Sequence, residues 1–146
     1  MALRKRRDRI RGNPDLYHCN DGFFRTGGGT VQIGGTSYVP PLPIETVVIE
    51  RIDEIRSQDK EPIEIAIELC MYCMKTQVFK DGNKRASVIF ANHYLIAHGM
   101  GFLVIPEKDV PEFKKLLVQY YEGDSFDSCH RRFGCLYSDV GCNEGC

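Results

Sequence analysis

The stretch TQVFKDGNKRASVIF, residues 76–90, places a polar turn directly before an apolar helical pattern. Gly82 and Asn83 fall where this helix is expected to begin. The first backbone N–H groups of a helix have no partner within the helix, and the helix macrodipole is positive at that end. A glycine at this point lets a phosphate group approach the backbone closely. The pattern therefore favours an anion-binding site at the start of the helix.

Charged side chains on either side of this glycine extend the argument. Arg85, in the first helical turn, can bind phosphate oxygens with two nitrogens, and Lys84 adds a positive charge. Asp81 offers a carboxylate that suits Mg²⁺ bridging to a nucleotide. A purely structural turn is the alternative, because Asp-Gly-Asn is a common turn sequence and Asn83 is a good N-cap. The spacing of these residues leaves both interpretations open.

Helical periodicity dominates the chain on both sides of this stretch. Apolar residues recur at helical spacing from Ile44 to Ile55, and a second helix is predicted to begin at Pro62, which suits a first helical turn. The helix expected over residues 83–98 is apolar on nearly all sides, which predicts a central position in a bundle. A connector with one short extended piece then leads to a last amphipathic helix, marked by Val110, Phe113, Leu116, Leu117 and Tyr120.

One β-hairpin is expected before these helices. The segment TVQIGGTSYV, residues 30–39, places Gly34 and Gly35 between two β-type runs, and two glycines supply the positive φ angles of a tight turn. The PPLP sequence that follows at residues 40–43 cannot continue a strand or a helix. The predicted fold class is therefore mainly α, a compact helical bundle with a single β-hairpin.

Composition narrows the class of protein. The chain of 146 residues has the length of one domain, with an apolar share of 42% and a net charge of −1. That charge argues against a dedicated nucleic-acid site, and we interpret the basic segment 1–20 as a solvated N-terminus. No apolar run approaches the roughly 18 residues of a membrane span, and the start lacks the apolar segment of a secretory signal. We therefore expect a cytoplasmic protein that uses no membrane.

Residues 76–90 contain a pattern that resembles the signature of a known family. Residues 77–85 read Gln-Val-Phe-Lys-Asp-Gly-Asn-Lys-Arg, which resembles the sequence H-x-F-x-[DE]-[GA]-N-[GK]-R of the Fic/Doc (Fido) family. Lys84 matches the Doc-like branch of that signature, and the hairpin with SYVPPLP resembles the family's flap. The similarity covers roughly residues 22–124. It implies a Fido core over residues 21–124, between the basic segment 1–20 and a cysteine-rich, diverged tail over residues 125–146.

The resemblance implies transfer of AMP, or of a phosphate, from ATP to a Ser, Thr or Tyr hydroxyl of a target protein. By motif match, Asp81 would hold Mg²⁺, while Gly82, Asn83, Lys84 and Arg85 would bind the nucleotide. The family also implies a toxin-like activity and an inhibitory antitoxin partner. The flap would present its strand edge to the target backbone, through Thr30, Val31, Gln32, Ile33, Gly34 and Gly35.

One departure from the signature concerns the chemistry itself. The first position is histidine in the family, where it takes the proton from the attacking hydroxyl, and here it is Gln77. A glutamine amide has no pKa near neutrality, so it cannot act as a general base. Three interpretations remain open: a natural pseudoenzyme that binds nucleotide, a weakly active enzyme, or an engineered or lineage-specific loss of a toxic activity. His93 and His98, further along the predicted helix, are interpreted as core or surface residues rather than substitutes.

The leading hypothesis is thus a Fic/Doc-type nucleotide-binding protein whose transfer activity is lost or weakened. The alternative is a non-catalytic interaction module that holds a partner with the flap and VPPLP, residues 39–43. Seven cysteines, an odd number, do not suit a disulfide framework. We interpret Cys70 and Cys73, a C-x-x-C pair, as packing residues. A metal clasp in the tail is weighed against divergence, which we prefer for Cys129, Cys135, Cys142 and Cys146.

Overall fold

A computed structural model describes residues 24–27, 34–123, 129 and 138–140 of the chain, the last three as backbone only. This part is mainly helical, as the sequence predicts. Four helices and one short two-stranded sheet follow in the order α1 (Glu45–Arg56), α2 (Pro62–Thr76), α3 (Asn83–Ala97), β1 (Phe102–Val104), α4 (Val110–Glu122) and β2 (Ser138–Val140), with a 3₁₀ turn at Glu107–Asp109.

The predicted start of α2 is confirmed. Pro62 is its first residue, and Glu61 and Glu64 form a capping box around it. In this motif each of the two glutamates accepts a hydrogen bond from the backbone N–H of the other, which satisfies two N–H groups that a helix start leaves without partners. Proline is favoured here because its missing N–H is not needed. Local sequence therefore fixes where the helix that carries the core begins.

The centre of the bundle is α2 rather than α3. Every residue from Ile65 to Met71 is buried, and so is Met74. The prediction that α3 would occupy the centre is wrong, because its residues Ile89 and Ile96 are 69% and 55% exposed. Only one face of α3 packs into the core, while Ile89 borders two open grooves described below. A helix that is apolar on nearly all sides is therefore not always enclosed by the core, since part of its surface can border open grooves.

The hairpin is only partly within the described residues. Gly34 and Gly35 form a turn with φ angles of +53° and +86°, the positive values that the sequence predicts for this glycine pair. A side chain on Gly34 would meet Val118 of α4 at 3.4 Å, so the turn packs closely on that helix. Residues 36–40 form no strand, and residues 30–33 lie outside the described part. The hairpin itself therefore stays a prediction.

Described parts of the predicted tail contact the core. Cys129 is 2% exposed and belongs to the hydrophobic cluster. Strand β2 pairs antiparallel with β1, with Leu103 opposite Asp139. Segment 1–20 and the other tail cysteines lie outside the described residues, so these domain divisions stay predictions. None of the described helices has the length and apolar character that a bilayer span requires.

The C-x-x-C pair lies on α2. Cys70 is fully buried in the core, as expected of a packing residue. Cys73 is half-buried, and burial raises the pKa of its thiol to about 12. Among the residues that the structure describes, no group of three or more His, Cys, Asp or Glu side chains could hold a metal ion.

Candidate functional site

Gln77 ends helix α2 in a left-handed conformation. Its φ and ψ angles are 50° and 58°, and it is the single non-glycine residue with positive φ in the described part. Its backbone N–H donates to the carbonyl of Cys73, and its side-chain Nε2 donates to the carbonyl of Met74. The side chain therefore turns back onto the end of α2 and satisfies a carbonyl that the helix leaves without a partner.

Tyr121 of α4 shares this contact. Its hydroxyl donates to the same Met74 carbonyl at 2.9 Å, and its ring stacks on Tyr38 with 5.2 Å between centroids. Burial raises the pKa of Tyr121 far above its usual value, against a smaller lowering by a hydrogen bond with Gln77. Neither the Gln77 amide nor this phenol can take up a proton near neutral pH. Gln77 and Tyr121 thus meet at the Met74 carbonyl, which links the end of α2 to α4.

The loop from Gln77 to Gly82 is clasped by Asn83. The Oδ1 atom of Asn83 accepts the backbone N–H of Phe79 at 2.8 Å, and its Nδ2 donates to the carbonyl of Phe79 at 2.8 Å. The side chain is buried, and both ends of its amide are used. Asn83 therefore shapes the loop with its side chain and can offer an anion only its backbone N–H. It is the first residue of α3 rather than the N-cap, which is Gly82.

Gly82 and Arg85 lie against each other at the start of α3. Gly82 has φ +74° and ψ +9°, a left-handed conformation that favours glycine, and no side chain caps this helix. A Cβ atom on Gly82 would lie 3.7 Å from Nη2 of Arg85, so the guanidinium folds back over the glycine. The Gly82 N–H donates to Oδ1 of Asp81 at 2.6 Å, and the Asp81 side chain is otherwise exposed. The Arg85 guanidinium and the backbone N–H groups at the start of α3 thus lie beside the Asp81 carboxylate.

A groove opens next to this helix start. It has a volume of about 510 Å³ and runs between α3 and α4, and we name it the α3–α4 groove. Three cationic side chains line it: Lys84, Arg85 and Lys114. None of the three forms an ion pair with another described residue. Its remaining walls are apolar, formed mainly by Val88, Ile89, Ile105, Val110, Phe113 and Leu117.

Lys114 lines this groove, although no sequence pattern predicts it there. Burial, and then the charge of Lys114, lower the pKa of Lys84, so the two ammonium groups are close enough to repel each other. Lys114 lies on α4, thirty positions after Lys84, and no sequence motif includes it. Only the packing of α4 against α3 brings the second lysine to the groove.

Arg25 was also missed by sequence reasoning. Its Nε donates to the carbonyl of Gln77 at 3.0 Å, and its Nη2 donates to the carbonyls of Pro41 at 2.6 Å and Pro40 at 3.2 Å. Its backbone N–H donates to the carbonyl of Val78 at 2.7 Å. This one residue ties the PPLP segment to the loop that begins the site. No local pattern around Arg25 indicates such a role.

A second groove, about 680 Å³ in volume, lies between α1 and α3 and is lined by Phe24, Ile52, Phe79 and His93 among others. His93 thus borders an apolar surface, as expected of a core or surface histidine. His98 lies just past the far end of α3, roughly 20 Å along the helix from its start, where its Nδ1 is 2.8 Å from the carbonyl of Tyr94. His93 therefore shares a groove with Phe79 of the loop that follows Gln77, whereas His98 lies at the opposite end of α3.

The flap residues proposed from the sequence are described only at Gly34 and Gly35, since Thr30, Val31, Gln32 and Ile33 lie outside the described part. Directly after the turn, the chain exposes four large apolar side chains to between 53% and 62% of their surface. These are Val39, Leu42, Ile44 and Val47. An apolar surface of this kind suits contact with another protein.

Comparison with known proteins gives one positive finding. None of the curated proteins matches the chain. The model of the Fic/DOC family matches residues 8–95, more than half of the chain, and this range contains the whole loop from Gln77 to Arg85. The protein therefore belongs to the Fic/DOC family.

Proposed function

We propose that this protein binds ATP with Mg²⁺ at the start of α3, as a Fic-type nucleotidyltransferase scaffold. The family reaction would be transfer of AMP, or of a phosphate, to a hydroxyl of a target protein, weakened or lost here because of Gln77. The observation that carries the proposal is the guanidinium of Arg85 folded over Gly82 at an uncapped helix start. This arrangement has the donors and the charge that a phosphate needs.

The phosphates would be bound by backbone and side chain together. The N–H groups of the first turn of α3, including that of Asn83, have no partner within the helix. Arg85 would bind a phosphate oxygen pair, and Lys84 would add charge at the groove. The apolar walls of the α3–α4 groove would receive the flat base by burying its faces.

Asp81 fits a magnesium ligand that acts together with the nucleotide. Its Oδ1 accepts the Gly82 N–H, and since the residue is exposed, its second carboxylate oxygen would be available to a metal ion. Mg²⁺ is usually held by one or two carboxylates plus substrate phosphates, so a cluster of protein ligands is not required. When bound, the ion would neutralise phosphate charge. Asp81 would orient it through the turn that its own Oδ1 stabilises.

Gln77 sets the expected level of activity. General-base catalysis typically contributes about 10²–10⁴-fold, and an amide contributes none of it. Gln77 can still hold the loop by its hydrogen bond to Met74, so binding would survive where transfer does not. The target protein would lie along the flap and the apolar residues that follow it, and an inhibitory antitoxin partner remains part of the family-based proposal.

Calorimetry with Mg-ATP tests the nucleotide site. Arg85→Ala should weaken binding by about 1.5–3 kcal/mol, the range for a hydrogen bond to a charged group. Arg56→Ala is the matched control, since Arg56 is an exposed arginine on α1 that pairs with Asp53 at 3.5 Å. No binding by the parent protein, or equal losses in the two variants, would contradict the assignment.

A non-catalytic interaction module is the second candidate. The exposed apolar residues Val39, Leu42, Ile44 and Val47 favour it, because they continue directly from the flap turn. The same calorimetry separates the two functions, since a pure interaction module predicts no affinity for Mg-ATP. A substitution such as Leu42→Ser would then impair partner binding and leave the calorimetric result with Mg-ATP unchanged.

A further inference from the structure

Lys114 is a cationic residue that lines the α3–α4 groove. It lies outside the family signature, which covers residues 77–85. It lines the same groove as Lys84 and Arg85 from the facing helix α4, while its exposed neighbour Lys115 does not line that groove. Three cationic residues from two helices therefore border one groove. The described part of the chain supplies no acidic partner for any of them.

This arrangement is unfavourable in the free protein. Like charges repel, and the lowered pKa of Lys84 reflects burial and the charge of Lys114 together. An anion that contacts both lysines removes the repulsion and adds two attractive interactions. The gain grows with the charge of the anion, because each further phosphate group adds charge within reach of the lysines.

We propose that Lys114, together with Lys84, binds the outer phosphates of the ligand and so makes the site select polyphosphates over monophosphates. For nucleotides the inference rests on the proposed function. The underlying polyphosphate site does not, since it requires only the three cations and the groove. Arg85 lies over the helix start and Lys114 lies on the facing helix. A chain of phosphates would therefore be able to contact both residues, whereas a single phosphate group bound at the helix start would not extend to Lys114.

The experiment measures binding of ATP, AMP and inorganic tripolyphosphate, each in the presence of Mg²⁺, by the full chain. Lys114→Met should weaken the binding of ATP and of tripolyphosphate by about tenfold or more, the loss expected for a charge-assisted hydrogen bond. The affinity for AMP should change less than threefold. Lys115→Met is the matched control and should leave all three affinities unchanged. Both lysines are exposed, and equal unfolding midpoints for the variants would exclude a folding defect.

The outcomes separate the two proposals. Two results would overturn the selectivity inference while the nucleotide site stands, provided that the parent binds ATP. One is an equal loss of ATP affinity in Lys114→Met and Lys115→Met. The other is a loss of AMP affinity in Lys114→Met as large as its loss of ATP affinity. If the parent binds tripolyphosphate through Lys114 but shows no affinity for ATP, the inference survives and the nucleotide function fails. If the parent binds neither compound, both are overturned.

Discussion

The Nε atom of Arg25 donates a hydrogen bond to the backbone carbonyl of Gln77, with 3.0 Å between them. Fifty-two positions separate the two residues in the sequence. The same guanidinium also binds the carbonyls of Pro40 and Pro41, so it joins the end of the flap region to the first residue of the signature. The position of the loop at the start of the site therefore depends on a residue outside every recognised motif.

Replacement of Arg25 should destabilise this junction. Arg25→Ala removes hydrogen bonds from a charged donor to three backbone carbonyls at the junction, and we expect a loss of about 2–3 kcal/mol in the free energy of unfolding. Arg25→Lys should restore only part of it, because an ammonium group cannot reach carbonyls in several directions at once. Urea denaturation measures the change, and Arg56→Ala, which breaks an exposed pair, should cost at most about 1 kcal/mol. A loss for Arg25→Ala no larger than this would refute the role.

The Asn83 clasp should couple stability to nucleotide binding. Asn83→Ala removes both hydrogen bonds to Phe79 and should lower the free energy of unfolding by about 2–3 kcal/mol, while also weakening Mg-ATP binding. Asn92 is a matched control on the same helix, because its amide makes an equivalent pair of bonds with the backbone of Leu103. Asn92→Ala should reduce stability similarly and leave affinity unchanged. Comparable loss of affinity in both variants would indicate a general unfolding effect.

Asp81 should set the metal dependence of binding. Asp81→Asn keeps an oxygen that can accept the Gly82 N–H, so the turn and the fold should persist. The charge that attracts Mg²⁺ is lost, and titrations with ATP should then give the same affinity with and without the metal. Asp59→Asn, an exposed change in the loop between α1 and α2, should keep the dependence of the parent. An unchanged metal effect in Asp81→Asn would leave Asp81 as a turn residue only.

Gln77→His should restore a proton acceptor at the family position. General-base catalysis contributes about 10²–10⁴-fold, and we expect transfer from labelled ATP to protein to rise within that range. The double variant Gln77→His with Arg85→Ala should lose the gain, since phosphate binding would be impaired. A single variant that folds and binds Mg-ATP but transfers nothing would show that histidine loss is not the limiting defect. An imidazole that donated to the Met74 carbonyl, as the Gln77 amide does, would then be held away from the reacting groups.

Alkaline pH should destabilise the fold. Burial raises the pKa of Tyr120 from 10.0 to about 12 and that of Cys73 from 9.0 to about 12. The unfolded chain loses these protons first, so the stabilising effect is complete below about pH 9 and is lost as the pH rises towards 12. Since one pKa unit corresponds to about 1.4 kcal/mol, Tyr120 alone should account for roughly 2–3 kcal/mol. Urea denaturation across this pH range should show the decline, and Tyr120→Phe should flatten it above pH 10.

Local sequence patterns determined much of this protein. The starts of α2 and α3 and the left-handed conformations at Gly34, Gly35 and Gly82 follow from short-range rules. Helix periodicity and turn chemistry depend on residues within a few positions of one another, so a single sequence reveals them. The family signature is of the same kind, because residues 77–85 form one continuous loop and helix start.

Tertiary structure decided what lies around that loop. Arg25 reaches Gln77 across fifty-two positions, and Lys114 reaches the groove of Lys84 because α4 packs beside α3. The sequence placed α3 at the centre, but its apolar side chains border open grooves while α2 is enclosed. Which apolar face is buried depends on where the other helices lie, and that depends on the summed packing of the whole chain. Local periodicity therefore gives the helices, and only their packing brings Arg25 and Lys114 to the surroundings of this loop.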